Sequence, residues 1–218
     1  MQISISIEPY LVDKKEKLTQ YIVDIISLKQ KMAVYGNEIS LHFDYFKPNL
    51  EVFALVQSFT NQIEIDLHLM QESVPSVKGF RSVCFDAVDL KNAENGTSKN
   101  ALINNMKMVE PAQRGLVLDL GYKIDGYEDL IRQASYIIVM TVKCGKSGQA
   151  FQSSPLQLIE QIRAINPTVT IIIDGGINEN NVNLLKKASV NVAVVGSYAK
   201  KGYENADFEN SINRLLRV

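Results

Sequence analysis

Short runs rich in Ile, Val and Leu alternate along the chain with longer stretches whose apolar residues recur at helical spacing. This alternation is the signature of a parallel sheet whose crossovers are helices. It predicts eight strands, at 2–8, 38–44, 62–68, 81–86, 115–120, 135–142, 168–174 and 191–196. In the first crossover Leu18, Ile22, Ile25 and Ile26 fall on one helical face, and in the sixth Leu156, Ile159, Ile162 and Ile165 do the same. Ser154-Pro155 reads as an N-cap followed by a first-turn proline, and Asn166-Pro167 as a stop. Right-handed crossovers in one sheet make closure into an α/β (β/α)8 barrel the simplest topology, with an open doubly wound sheet as the alternative. The least regular part is 88–114, where the polar, turn-rich run from Asn92 to Ser98 predicts a long exposed loop before a helix through Met106.

A chain of 218 residues with 46% hydrophobic content has enough apolar material for one substantial core, so a single barrel domain over 1–218 is expected. The formal net charge of −1 provides no global field for nucleic acid or an anionic membrane, which leaves a small molecule as the expected partner. The densest apolar run, Tyr136 to Val142, is strand length and far below the roughly 18 residues of a bilayer span. Met1-Gln2-Ile3-Ser4-Ile5 alternates without the basic and apolar regions of a signal peptide, and Cys84 and Cys144 lie far apart, so a reduced, cytoplasmic protein is expected.

Both histidines of the chain, His42 and His68, fall near the C-terminal ends of predicted strands, the end at which barrel active sites are built. Strand alternation puts Asp44 on the same face as His42, and Asp66 on the same face as His68. Strand seven, otherwise apolar, ends in Asp174-Gly175-Gly176. If the sheet closes, strands two and seven are expected to stand across the mouth, with Asp44 and Asp174 approaching one substrate from opposite faces. His42, Asp44, His68 and Asp174 form a four-ligand set suited to a borderline divalent cation such as Zn2+, Fe2+ or Mn2+. Each member also has an ordinary reading: a hydrogen-bonded structural histidine, or a turn aspartate capping the next helix. Three small-residue turns follow strands six, seven and eight, at Gly145 to Gly148 with Ser147, at Gly175-Gly176 and at Gly196-Ser197. Their backbone N–H groups can approach an anion where barrels commonly bind phosphate, although glycine after a strand is also normal turn chemistry. Lys146 and Lys200 read as solvated surface lysines.

Taken in order, Leu41-His42-Phe43-Asp44, Asp66-Leu67-His68-Leu69-Met70, Met140-Thr141-Val142, Gly148-Gln149-Ala150-Phe151, Asp174-Gly175-Gly176-Ile177 and Gly196-Ser197 resemble the ribulose-phosphate 3-epimerase pattern over nearly the whole chain. The resemblance implies that His42, Asp44, His68 and Asp174 hold a metal, with Asp44 and Asp174 also acting as the acid/base pair. It implies that backbone groups around Ser147, Gly148, Gly175, Gly176, Gly196 and Ser197 hold a substrate phosphate, and that the protein is a homo-oligomer. Its expected reaction is inversion of carbon 3 of a ketose phosphate, by default D-ribulose 5-phosphate, with a six-carbon ketose phosphate as the nearest variant. A regulatory sugar-phosphate-binding barrel and an aldol or decarboxylation chemistry are the alternatives. The chain departs from the family where Pro9-Tyr10 stands in place of a Pro-Ser motif, which assigns Tyr10 to the sugar. It departs again where the loop after strand two shortens to Tyr45-Phe46-Lys47-Pro48-Asn49, and where Asp119-Leu120-Gly121-Tyr122 and Lys143-Cys144-Gly145 follow strands five and six.

Overall fold

The computed structural model describes residues 1–11, 14–46, 49–70, 76–87, 97–144 and 148–217. Eight parallel strands follow one another around a closed barrel: β1 (Gln2–Ser6), β2 (Ile39–Tyr45), β3 (Ile65–Leu69), β4 (Ser82–Asp86), β5 (Arg114–Leu118), β6 (Tyr136–Met140), β7 (Thr170–Asp174) and β8 (Val192–Val195). Closure is carried by β1, in which Ser4 stands opposite both Ser40 of β2 and Val194 of β8. An open sheet is therefore excluded. The helices are α1 (Lys15–Ala33), α2 (Leu50–Gln57), α3 (Thr97–Lys107), α4 (Glu128–Gln133), α5 (Gln157–Ile165), α6 (Val182–Lys187), α7 (Ser197–Glu204) and α8 (Phe208–Arg217). Among the described residues between β3 and β4 there is no helix. No helix among the described residues is long and apolar enough to cross a membrane.

The expected elements are all present, with shifted ends. β1 stops at Ser6: Ile7 still donates its N–H to the His42 carbonyl, but the chain then turns into a 310 helix, Glu8–Tyr10, with Pro9 in its first positions. Ser154-Pro155 starts another 310 turn, Ser154–Leu156, and α5 begins only at Gln157; Asn166 ends α5 as expected. Of the stretch expected as a long loop, 88–96 lies outside the described residues, while α3 does run through Met106.

Strand alternation divides the apolar residues into two layers. Ile3, Ile5, Leu41, Phe43, Ile65, Leu67, Ile171 and Ile173 face outward and pack with Leu18, Ile22 and Ile25 of α1 and with Ile159 and Ile162 of α5. The opposite parity fills the barrel, and its two sides differ in character. Val117, Ile138, Met140, Ile172, Val192 and Val194 line the β5–β8 side. Ser4, Ser6, Ser40, His42, Asp44, Asp66, His68 and Ser82 line the β1–β4 side, all buried.

The floor of this polar side is built on one ion pair. Asp66 has no solvent exposure; it accepts from Arg81 Nε at 2.9 Å and from the second guanidinium nitrogen, and from Ser82 Oγ at 2.7 Å. Arg81 also reaches Gln2 Oε1 at 2.6 Å, Glu64 Oε2 at 2.7 Å and Ser40 Oγ at 3.2 Å. Removing one partner of a buried pair leaves the other charge uncompensated, which costs far more than the intact pair contributes. Asp66→Ala is accordingly expected to lower unfolding stability by about 3–5 kcal/mol in urea denaturation. Glu64→Ala, at an exposed partner, should cost less than about 1 kcal/mol. Equal small losses in the two variants would show that solvent, not Asp66, satisfies Arg81.

Candidate active site

Register and parity assemble a polar group at the C-terminal mouth of the barrel. His42 and Asp44 are two residues apart on β2 and both point inward; His68 stands opposite Asp44 in the β2–β3 pairing. Asp174 is the last residue of β7. One ligand atom from each of His42, Asp44, His68 and Asp174 lies within 4.8 Å of all the others. His42 Nε2 is 3.3 Å from Asp44 Oδ1 and 3.7 Å from Asp174 Oδ2, while His68 Nδ1 is 3.1 Å from Asp44 Oδ1. Asp44 also accepts from Ser6 Oγ at 3.4 Å. Two imidazole nitrogens and two carboxylate oxygens converging in this way fit a divalent cation that takes nitrogen and oxygen ligands.

Charge and burial compete at each of these groups. Burial disfavours a charged imidazole, but the Asp44 charge and hydrogen bond outweigh it and raise His42 above the ordinary range. Against the same burial, hydrogen bonds to Asp44 and Asp86 push His68 up to about 10. Burial would lift Asp44, yet His42 and His68 together hold its carboxyl well below the usual carboxylate range. Asp174 goes the other way: burial raises it, His42 opposes, the Asp44 charge reinforces, and the carboxyl is pushed up to about 6. One carboxylate is thus kept ionised and its neighbour kept close to protonation.

The group opens into a cavity of about 140 Å³ lined by Asp44 and Asp174, by Ser6 and Glu8, by Phe46, Met70, Met140 and Val142, and by Gly148, Gly175, Gly176, Gly196 and Ser197 on one flank. Gly175 and Gly176 hold positive φ values of 122° and 66°, and a Cβ on Gly176 would come within 2.5 Å of the Phe151 nitrogen and 2.8 Å of the Gln149 carbonyl oxygen. Only glycine lets the β7 turn lie this close to the segment after β6. Thr141 Oγ1 ties the two together by donating to the Gly175 carbonyl at 2.6 Å. Gly196 precedes the first turn of α7, which begins at Ser197. Ser147 lies outside the described residues.

One expectation changes. Tyr10 does not line the cavity: it is fully buried beside α1 and α7, its ring centroid 4.4 Å from that of Tyr21 at a 45° tilt and edge-on to Tyr203, with its hydroxyl donating to Glu204. The 310 turn carries it there, and Ser6 takes the place at the end of β1 beside Asp44. β2 and β7 stand three places apart in the ring of eight, one short of diametrically opposite, so Asp44 and Asp174 reach the mouth from well-separated sides. Asp174 caps no helix; it faces His42 and the cavity. Nothing in the sequence reading marks Asp86, whose Oδ1 lies 2.9 Å from His68 Nε2. Its available signal is parity, since Ser82, Cys84 and Asp86 share the inward face of β4.

Similarity to known proteins agrees with this arrangement. Solved structures show the same fold at low identity. They include a thiamine phosphate pyrophosphorylase from Pyrococcus furiosus (TM-score 0.60, 14% identity, covering 99% of this chain and 94% of that one). They also include a 3-hexulose-6-phosphate synthase from Salmonella typhimurium (TM-score 0.60, 11% identity, 99% and 96% covered). In sequence, the chain is 29% identical over 178 residues to a ribulose-phosphate 3-epimerase of Aquifex aeolicus, covering 76% of this chain and 79% of the relative. It is 26% identical over 208 residues to one of Helicobacter pylori, with 89% and 93% covered. Residues 27–199, which include the two imidazoles, the two carboxylates and the glycine turns of the cavity, match the family model for ribulose-phosphate 3 epimerases, and the chain belongs to this family of isomerases.

Proposed function

We propose that the chain is a metal-dependent epimerase that inverts carbon 3 of a phosphorylated ketose, with D-ribulose 5-phosphate and D-xylulose 5-phosphate as the default pair. One observation carries the reading: two carboxylates of opposite proton affinity, Asp44 and Asp174, face a single cavity beside two buried imidazoles. Pairs of titratable groups whose surroundings push their proton affinities apart are the usual mark of an acid and a base at work. His42, Asp44, His68 and Asp174 would hold one divalent cation, Zn2+, Fe2+ or Mn2+. When bound, the cation supplies positive charge that stabilises the oxygens of a planar enediolate.

In one direction Asp44 takes the proton from carbon 3, and the electron pair of the broken C–H bond moves into the enediolate. Asp174 then returns a proton to the other face, and in the reverse direction the roles exchange. The apolar side chains of Met70, Met140 and Val142 border the cavity and limit water beside the intermediate. Backbone N–H groups around Gly148, Gly175-Gly176 and Gly196-Ser197, with Ser147, would hold the phosphate, helped by the first turn of α7.

The reading is tested by following deuterium uptake at carbon 3, by NMR, across five- and six-carbon ketose phosphates. Uptake and inversion are expected with the phosphorylated sugars, and their absence with the whole panel would leave the chain as a binding barrel. Asp174→Asn should slow inversion by about 100- to 10,000-fold, the range for a positioned acid or base. Metal content is measured alongside, and a variant that kept both metal and rate would remove Asp174 from the mechanism. Gly196→Leu should weaken ketose phosphate binding while leaving metal affinity intact. A methyl alone is accommodated there, 3.6 Å from the nearest carbon of Ser6, so the longer side chain is needed.

Metal uptake should also compete with protons. In the metal-free chain His68 remains protonated up to about pH 10, and its Nδ1 must lose that proton to bind a cation. Apparent affinity should therefore rise with pH through 6, 7 and 8, by about tenfold per unit for each proton displaced. Chelator competition measures this directly. An affinity flat across that range would show that binding displaces no proton from His68.

A further inference from the structure

We infer that Asp86, at the end of β4, is a positioning residue for the cation site: it accepts a hydrogen bond from His68 Nε2–H and so leaves the Nδ1 lone pair for the cation. The inference rests on the metal-dependent reading above and adds a residue that touches neither the cation nor the substrate.

The geometry separates the two imidazoles. His68 Nε2 lies 2.9 Å from Asp86 Oδ1, shorter than the 3.1 Å from His68 Nδ1 to Asp44 or the 3.3 and 3.7 Å contacts of His42 Nε2. His42 Nδ1, by contrast, is buried with no hydrogen-bond partner among the described residues. His42 is thus held by packing and by the carboxylates it faces, whereas His68 is gripped at both ring nitrogens. A neutral imidazole carries one N–H, and whichever nitrogen keeps it cannot bind a cation. If Nδ1 kept the proton, His68 would aim a donor at the cation. An anionic acceptor on the far nitrogen removes that choice, fixes the ring plane and raises the basicity of the ligating nitrogen.

Asp86 is placed for this and for little else. It shares the inward parity of β4 with Ser82 and Cys84, and Cys84 pairs with His68, so Asp86 stands one step nearer the mouth than the residue beside the imidazole. It belongs neither to the four groups whose ligand atoms converge nor to the lining of the cavity. Its side chain is 45% exposed, so its own charge remains solvated while it grips a ring that has no exposure at all.

The test uses the full chain with Zn2+ alone. Affinity is measured by chelator competition for the wild type, Asp86→Asn and Asp86→Ala, and the imidazole nitrogens are followed by 15N NMR with and without Zn2+. In the wild type His68 should bind Zn2+ through Nδ1 and show a slowly exchanging Nε2–H. Asp86→Ala should lose about 10- to 100-fold in affinity, the usual cost of removing such a partner, and its Nε2–H should exchange rapidly. Asp86→Asn, whose amide oxygen still accepts, should fall between the two. If Asp86→Ala fails to fold, Asp86→Asn and the wild-type spectrum decide the matter. Unchanged affinity and unchanged exchange in the variants, on a wild type that does bind Zn2+, would overturn the role of Asp86 alone. So would Zn2+ on Nε2. A wild type that takes up neither Zn2+ nor, in parallel titrations, Fe2+ or Mn2+ would overturn this inference and the metal-dependent reading together.

Discussion

A carboxylate with 8% exposure at the floor of a barrel mouth is tolerable only if positive charge is held against it, and Asp44 sets that requirement for its surroundings. β2 meets it with His42, two residues away; β3 meets it with His68, directly opposite in register; β1 adds the Ser6 hydroxyl. Asp44 in turn raises the affinity of both rings for protons, a source of that positive charge, against the burial that opposes it, with Asp86 adding to the effect at His68. A cation bound by the same groups would carry the charge instead.

The two sides of the barrel interior give the carboxylates their different behaviour. Asp44 comes from the polar side, where donors surround it. Asp174 comes from β7, on the side filled by Ile172, Val194 and Met140, and its nearest basic nitrogen is the 3.7 Å contact with His42. Loss of hydration is only partly offset there, so Asp174 holds its proton more tightly than an ordinary carboxyl. Two carboxyls of one residue type thus differ in proton affinity because the barrel interior is lined with side-chain donors on one side and with apolar groups on the other.

Most of the architecture was legible because Ile, Val and Leu runs bounded by turns are an unambiguous strand signal, and eight of them at regular spacing leave few topologies. His42 and Asp44 were legible through period-two alternation, and Asp174 because a charge ending the run Ile171-Ile172-Ile173 is conspicuous. Tyr10 was misplaced because a count along the sequence does not show that Pro9 opens a 310 turn, which swings the next side chain under α1 and α7. Ser6 and Asp86 gave no signal of their own. A single serine or aspartate at a strand end is ordinary, and its meaning lies in the neighbour across the ladder, His42 for Ser6 and Cys84 beside His68 for the step below Asp86.

The guanidinium of Arg81 joins Gln2, Ser40, Glu64 and Asp66, so its partners come from β1, β2 and the approach to and body of β3, with Arg81 itself leading into β4. Every one of these groups is synthesised before the first residue of β5. Ring closure, in contrast, pairs Gln2 with Val192 and must wait for almost the whole chain. The basal cluster is therefore a clasp local to the N-terminal half, able to align four strands in a curved sheet while the other four are still being synthesised. During that interval the free margins of the unfinished sheet are β1 and β4, the strands that later receive β8 and β5. A barrel, which has no edges once complete, thus passes through a stage with two, and exposure to wrong partners is concentrated in the time between the making of β4 and the docking of β8.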